Sequence, residues 1–179
     1  PQTPVGIQAQ MQGAASTPAT PLVRLGSNDP DLIGLQLDMG AMGVVLPCIS
    51  TADQARTGSE ACRYPPAGTR GFGPSRAAFY GFDEDYFRQS NDNMLYVPII
   101  ETAEAVENIR DILAVPGVDA YVIGAYDLSI SLGLPLQFEH PTFSEAVRRV
   151  HEAGLNSGKH AAVGLDTEDA VPASFKRLF

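Results

Sequence analysis

Residues 95–127, LYVPIIETAEAVENIRDILAVPGVDAYVIGAYD, decide the fold. The apolar run Leu95-Tyr96-Val97-Pro98-Ile99-Ile100 reads as a strand and ends directly in Glu101. Between Thr102 and Val115, Ala103, Ala105, Val106, Ile109, Ile112 and Leu113 recur at helical spacing. A second apolar run, Tyr121-Val122-Ile123-Gly124, leads through Ala125 and Tyr126 to Asp127. Strand, helix, strand predicts parallel neighbours whose carboxyl ends share one face. Glu101 and Asp127 would then converge above the strands, as oxygen ligands of a hard divalent cation must. Singly, each acid has a plainer use: Glu101 as a first-turn acid favoured by the helix dipole, Asp127 as the cap of a short helix starting at Leu128. Their recurrence at equivalent positions of successive βα units favours the joint role.

The same rhythm extends on both sides. Pro21 to Leu25 is a short strand carrying Arg24. Asp29 can cap the next helix and Pro30 suits its first position; Leu32, Ile33, Leu35 and Leu37 supply its buried side and Gly40 ends it. Met42 to Pro47 is a continuous apolar run, as in a strand covered on both faces. Ser50 or Thr51 opens a helix to about Arg63. Residues 64–80 are too rich in Gly and Pro for an element interior, and an excursion of this length is expected to be functional, a surface insert being the plainer reading. A helix around Asp83 to Gln89 precedes the strand that ends at Glu101, Leu128 to Leu134 reads as a short helix or turn, and Phe143 to Gly154 is an amphipathic helix. The order βαβαβαβα means an α/β fold with parallel strands.

With 179 residues and 44% hydrophobic composition, the chain can bury one core, and a single domain over residues 1–179 is expected. Net charge of -9 opposes binding to phosphate backbones and anionic membranes, so neither nucleic acid nor membrane is an expected partner. No apolar run approaches the ~20 residues of a membrane span, and the start lacks the pattern of a signal peptide, which points to the cytoplasm. Cys48 and Cys62 are expected to be free thiols. A complete (β/α)8 barrel usually takes ~250 residues. The chain falls short of that by roughly two strands at its start and a βα segment near residues 161–163, where Gly158 to Ala161 reads as a strand entrance and Ala162 to Asp166 as a strand end.

Arg24 after Pro21-Leu22-Val23, Asn28-Asp29-Pro30, Asp38-Met39-Gly40, the run Arg63-Tyr64-Pro65-Pro66-Ala67-Gly68-Thr69-Arg70-Gly71, Ile100-Glu101-Thr102 and Gly124-Ala125-Tyr126-Asp127-Leu128-Ser129 together resemble the HpcH/HpaI aldolase family. These are class II, metal-dependent pyruvate aldolases acting on 4-hydroxy-2-oxoheptanedioate or 2-dehydro-3-deoxyglucarate, with macrophomate synthase as a relation. The resemblance implies a (β/α)8 TIM barrel assembled as a hexamer or trimer, and reversible cleavage of a 4-hydroxy-2-oxo acid to pyruvate and an aldehyde. It makes Glu101 and Asp127 the ligands of Mg²⁺, Mn²⁺ or Co²⁺, in agreement with the spacing argument. It sets Arg24 beside the substrate oxygens as a catalytic cation. It puts Asp38 in a proton network near the neighbouring subunit, a helix-surface acid being the plainer reading. Gly124, with the amides of Tyr126 and Asp127, would bind the pyruvate carboxylate. Arg70 would close over the site or serve in an interface ion pair.

Two departures from the family pattern matter. Ile99 stands where the family commonly has Gln, two residues before the metal-binding Glu, and cannot replace its hydrogen bonds. The family's catalytic His belongs to a Glu-His-x-Pro segment whose proline matches Pro1, so the resemblance puts it just upstream; His140, His151 and His160 are poor substitutes. These departures keep two rivals open: an oxaloacetate decarboxylase related to macrophomate synthase, and a non-catalytic barrel subunit.

Overall fold

Local rules place the elements. In the computed structural model, which describes residues 3–73 and 75–163, Thr3 caps α1 (Pro4–Ala14) by accepting the Gly6 N–H. After β1 (Val23–Arg24), Asp29 caps α2 (Pro30–Asp38) by accepting the amides of Asp31 and Leu32. β2 (Gly43–Leu46) leads to α3 (Ala52–Ala61), opened by a reciprocal box in which Thr51 and Gln54 satisfy each other's backbone amides. A 3₁₀ segment (Arg76–Gly81) and α4 (Tyr86–Asn93) precede β3 (Leu95–Ile100). Then follow α5 (Ala103–Glu107), α6 (Ile109–Leu113), β4 (Ala120–Ile123), α7 (Ala125–Ser131), α8 (Pro141–Ser157) and β5 (His160–Val163).

The strands pair in parallel in the order β1-β2-β3-β4-β5. Arg24 stands opposite Val45, Val45 opposite Val97, Ile99 opposite Val122 and Ile123 opposite Val163. Sequential parallel strands joined by helical crossovers are the arrangement of a (β/α)8 barrel, and the fold is of that kind. The strand period of two divides the side chains between two faces. Val44, Leu46, Tyr96, Ile100, Tyr121 and Ile123 are buried with Ile33, Leu37, Ile109, Ile112, Phe143, Val147 and Val150 of the helix layer. Val97 and Ile99 are buried outside that cluster, on the alternate face of β3 that also carries Glu101 at its end. No helix among the described residues is long and apolar enough to cross a membrane.

Several sequence expectations need correction. The helix expected over residues 102–115 is two short ones, because Asn108 leaves helical geometry and donates its side-chain amide to the Ser50 carbonyl. In α2 the buried positions are Ile33, Gln36 and Leu37, while Leu32 and Leu35 are exposed. The helix after β4 begins at Ala125, so Asp127 is a first-turn acid and not the cap of a helix at Leu128. The helix expected from Asp83 begins at Tyr86. Helix α1 was not expected from the sequence at all; it buries Met11 alone.

The glycine-rich excursion starts as packed structure. A Cβ on Gly68 would meet the Glu60 and Arg63 carbonyl oxygens at 2.2 and 2.4 Å, so only glycine lets the loop turn back onto the end of α3. The Thr69 and Arg70 amides then donate to those same two carbonyls. The strand end expected at Ala162–Asp166 falls on β5 up to Val163; Gly164 to Asp166, like Pro1, lie outside the described residues.

Candidate active site

At the carboxyl end of β3 the chain leaves the sheet with Glu101, whose carboxyl is buried; its Oε1 accepts the Cys48 N–H at 2.7 Å. Cys48 lies two residues beyond the end of β2, so this bond ties together the carboxyl ends of neighbouring strands. The segment around it is held from three sides. The Ser50 amide donates to Gln54 Oε1, the Ser50 hydroxyl lies 2.7 Å from Thr102 Oγ1, and the Ser50 carbonyl accepts from Asn108. Thr102 also caps α5 through the Ala105 amide, which fixes the residue next to Glu101.

Gly124 lies against the other side of Glu101. A Cβ there would come within 2.8 Å of Glu101 Cβ and Oε2 and 3.0 Å of Ile99 Cγ2. Ile99, where a Gln was the family expectation, is therefore a buried apolar wall next to the carboxylate. Gly124 ends β4 and begins α7, and Asp127 stands exposed in the first turn of that helix. The Tyr126 ring packs edge-on against Phe138 at 5.5 Å, and the Tyr126 carbonyl accepts from the buried Ser129 hydroxyl. Tyr126 and Asp127 thus present first-turn amides, which point out of a helix start.

The Cys48 thiol lies beside the Glu101 carboxylate and is influenced by the charges around it. Desolvation first, then a hydrogen bond to Glu101 and the negative charges of Glu101 and Asp127, push it above the ordinary thiol value, while Arg24 pulls it down. Arg24, exposed at the end of β1, makes no ion pair among the described residues. Sequence reasoning took Cys48 only as a free thiol; its place near the carboxyl end of a strand was the available signal.

Asp38 and Arg70 are together but elsewhere. Helix α2 runs from the carboxyl end of β1 towards the amino end of β2, so its last residue, Asp38, lies at the amino-terminal side of the sheet. Arg70 Nη2 donates to Asp38 Oδ1 at 2.7 Å and to the Tyr86 hydroxyl at 3.3 Å, and the guanidinium sits 4.7 Å above the Tyr64 ring. Desolvation is the largest single influence and works against the Arg70 charge, but the Asp38 hydrogen bond together with Tyr86 and Tyr64 outweighs it and pushes the guanidinium above its ordinary value. β3 alone spans ~20 Å, so within one chain neither residue joins Glu101 and Asp127. The histidines do not join them either: His140 Nδ1 accepts the Thr142 amide as the cap of α8, His151 lies within α8, and His160 opens β5.

Glu101 and Asp127 supply carboxylate oxygens, the donors that Mg²⁺ or Mn²⁺ prefer. The buried Glu101 carboxylate has no cationic side chain within ion-pair distance among the described residues. The same residues contain no cluster of three or more His, Cys, Asp and Glu side chains suited to an ion. Glu101 and Asp127 are the residues that would hold such a cation.

Known proteins carry the same arrangement of sequence and fold. The family model described as HpcH/HpaI aldolase/citrate lyase matches residues 5–175. A 4-hydroxy-2-oxo-heptane-1,7-dioate aldolase of Salmonella dublin is 40% identical over 164 residues, 90% of this chain and 62% of the relative. A 2-keto-3-deoxy-L-rhamnonate aldolase of Shigella boydii serotype 4 is 39% identical, over 88% of this chain and 61% of the relative. The chain thus spans about three-fifths of the length of these relatives. Among solved structures, an HpcH/HpaI aldolase/citrate lyase family protein of Burkholderia cenocepacia J2315 superimposes with a TM-score of 0.89 at 32% identity, over 94% of this chain and 68% of that one. Macrophomate synthase does so with 0.83 at 26% identity, over 99% and 64%. With the family model matching residues 5–175 and a relative 40% identical over 90% of the chain, the chain belongs to the HpcH/HpaI aldolase family.

Proposed function

We propose that this chain cleaves a 4-hydroxy-2-oxo acid reversibly to pyruvate and an aldehyde, with Glu101 and Asp127 holding a divalent cation. The observation that carries the reading is the buried Glu101 carboxylate at the carboxyl end of β3, bonded to the Cys48 N–H and packed against Gly124 at the start of the helix that carries Asp127, where barrel enzymes do their chemistry. When bound, the cation, Mg²⁺, Mn²⁺ or Co²⁺, supplies Lewis-acid polarisation of the 2-oxo group.

The chain's own residues do the rest. The first-turn amides after Gly124 receive the substrate carboxylate, and Ile99 closes the floor beside them with an apolar surface. A base takes the 4-hydroxyl proton, the C3–C4 bond breaks to release the aldehyde, and its electron pair becomes the pyruvate enolate. Arg24 stabilises that charge as it develops, and protonation at C3 completes pyruvate. Asp38 and Arg70, placed at the amino-terminal side, serve a site only on an adjacent copy, consistent with a hexamer or trimer. We place the protein in the cytoplasm, where thiols such as Cys48 and Cys62 stay reduced.

The test is Glu101→Gln, which keeps size and hydrogen bonding but removes the charge. Metal-dependent pyruvate release should disappear while the fold persists by circular dichroism. Undiminished cleavage would refute the assignment of Glu101.

A further inference from the structure

We propose that Cys48 is a positioning residue for the candidate ion site: its left-handed backbone aims an amide at Glu101 Oε1 and so fixes the carboxylate with Oε2 on the Gly124 side. The inference rests on the reading of Glu101 as a ligand and adds to it a residue that neither composition nor motif assigns.

Cys48 has φ of +56°, one of four such non-glycine residues among those described. L side chains rarely adopt this region, and single residues held there persist only when their surroundings impose it. Here the surroundings do. Ser50 and Thr51 are tied to Gln54, Ser50 is tied to Thr102 and Asn108, and Pro47 is buried at the end of β2. The residue between strand and clamp has to turn its amide inward, and what it meets is a carboxylate 53 residues away. A charge-assisted bond of 2.7 Å to a backbone N–H fixes one oxygen without neutralising the group. Glu101 cannot swing away on the other side, because Gly124 and Ile99 close it off. The carboxylate is thus oriented before any cation arrives, which is what a supporting shell does for a ligand.

Because the useful group is the amide, the effect of a substitution should follow backbone preference and not thiol chemistry. Glycine adopts positive φ freely, alanine with difficulty, and a β-branched residue worst. The experiment titrates Mn²⁺ alone into the full chain, with free ion followed by electron paramagnetic resonance and folding by circular dichroism. Cys48→Gly should bind Mn²⁺ much as the unsubstituted chain does, and Cys48→Val about 10- to 100-fold more weakly. If Cys48→Val does not fold, Cys48→Ala against Cys48→Gly decides in the same sense. Glu101→Gln is the control. Loss of Mn²⁺ binding in Glu101→Gln with equal affinities for the glycine, alanine and valine variants overturns the role of Cys48 and leaves the ion site standing. Equal loss in the glycine and valine variants overturns it as well, since the thiol would then be the useful group. Unchanged binding in Glu101→Gln overturns the ion site and the inference together.

Discussion

Gly124 and Glu101 touch so closely that a methyl group on the glycine would stand 2.8 Å from both Cβ and Oε2 of the carboxylate side chain. Glu101 is buried and cannot retreat into solvent, and Ile99 blocks the neighbouring direction. Gly124→Ala is therefore expected to displace the carboxylate, costing about 1–3 kcal/mol in stability as overpacking does. Turnover at saturating substrate should fall more than tenfold and Mn²⁺ affinity should fall with it. Chemical denaturation beside a kcat measurement checks both.

The pairing of Asp38 with Arg70 leads to a second expectation. If Asp38 serves the site of an adjacent copy, Asp38→Asn and Glu101→Gln damage different parts of one composite site. Each variant alone should be inactive, whereas co-expressed mixtures should recover part of the activity in oligomers that pair an intact Asp38 with an intact Glu101. Pyruvate release from mixed and separate preparations distinguishes this from Asp38 acting only to hold Arg70, in which case mixing recovers nothing.

Alkaline pH probes the core. Burial pushes the Cys62 thiol from its ordinary 9.0 up to about 12, and the buried Tyr121 phenol from 10.0 to about 12. Both groups hold their protons more tightly folded than unfolded, so their contribution is complete below pH 9 and is lost as pH rises from 9 to 12. Unfolding free energy from urea titrations should be level from pH 7 to about 8.5 and decline above it. Cys62→Ala should lower stability at neutral pH through the small cavity it leaves and show a shallower decline above pH 9.

How much of this could be read from residues alone follows from the physics of each element. The strands ending at Leu46, Ile100 and Ile123 were legible because strands covered on both faces are written as apolar runs. The caps at Asp29 and Thr51 were legible because capping is local. The break at Asn108 was not, since its cause is a carbonyl 58 residues away. The start of α7 was misread because no side chain caps it. Glu101 stood out as an acid directly after a strand and Asp127 as one shortly after the next, but Cys48 did not, because its contribution lies in a backbone angle and composition carries no trace of that.

The account is tested most directly by pyruvate release from a panel of 4-hydroxy-2-oxo acids, with oxaloacetate included, after chelation and again after restoring Mg²⁺, Mn²⁺ or Co²⁺. It predicts silence in chelator, pyruvate and aldehyde in equal amounts once the cation returns, and no recovery in Glu101→Gln. Cleavage that survives chelation, or a folded, Mn²⁺-loaded protein that releases pyruvate only from oxaloacetate or from nothing in the panel, would contradict it.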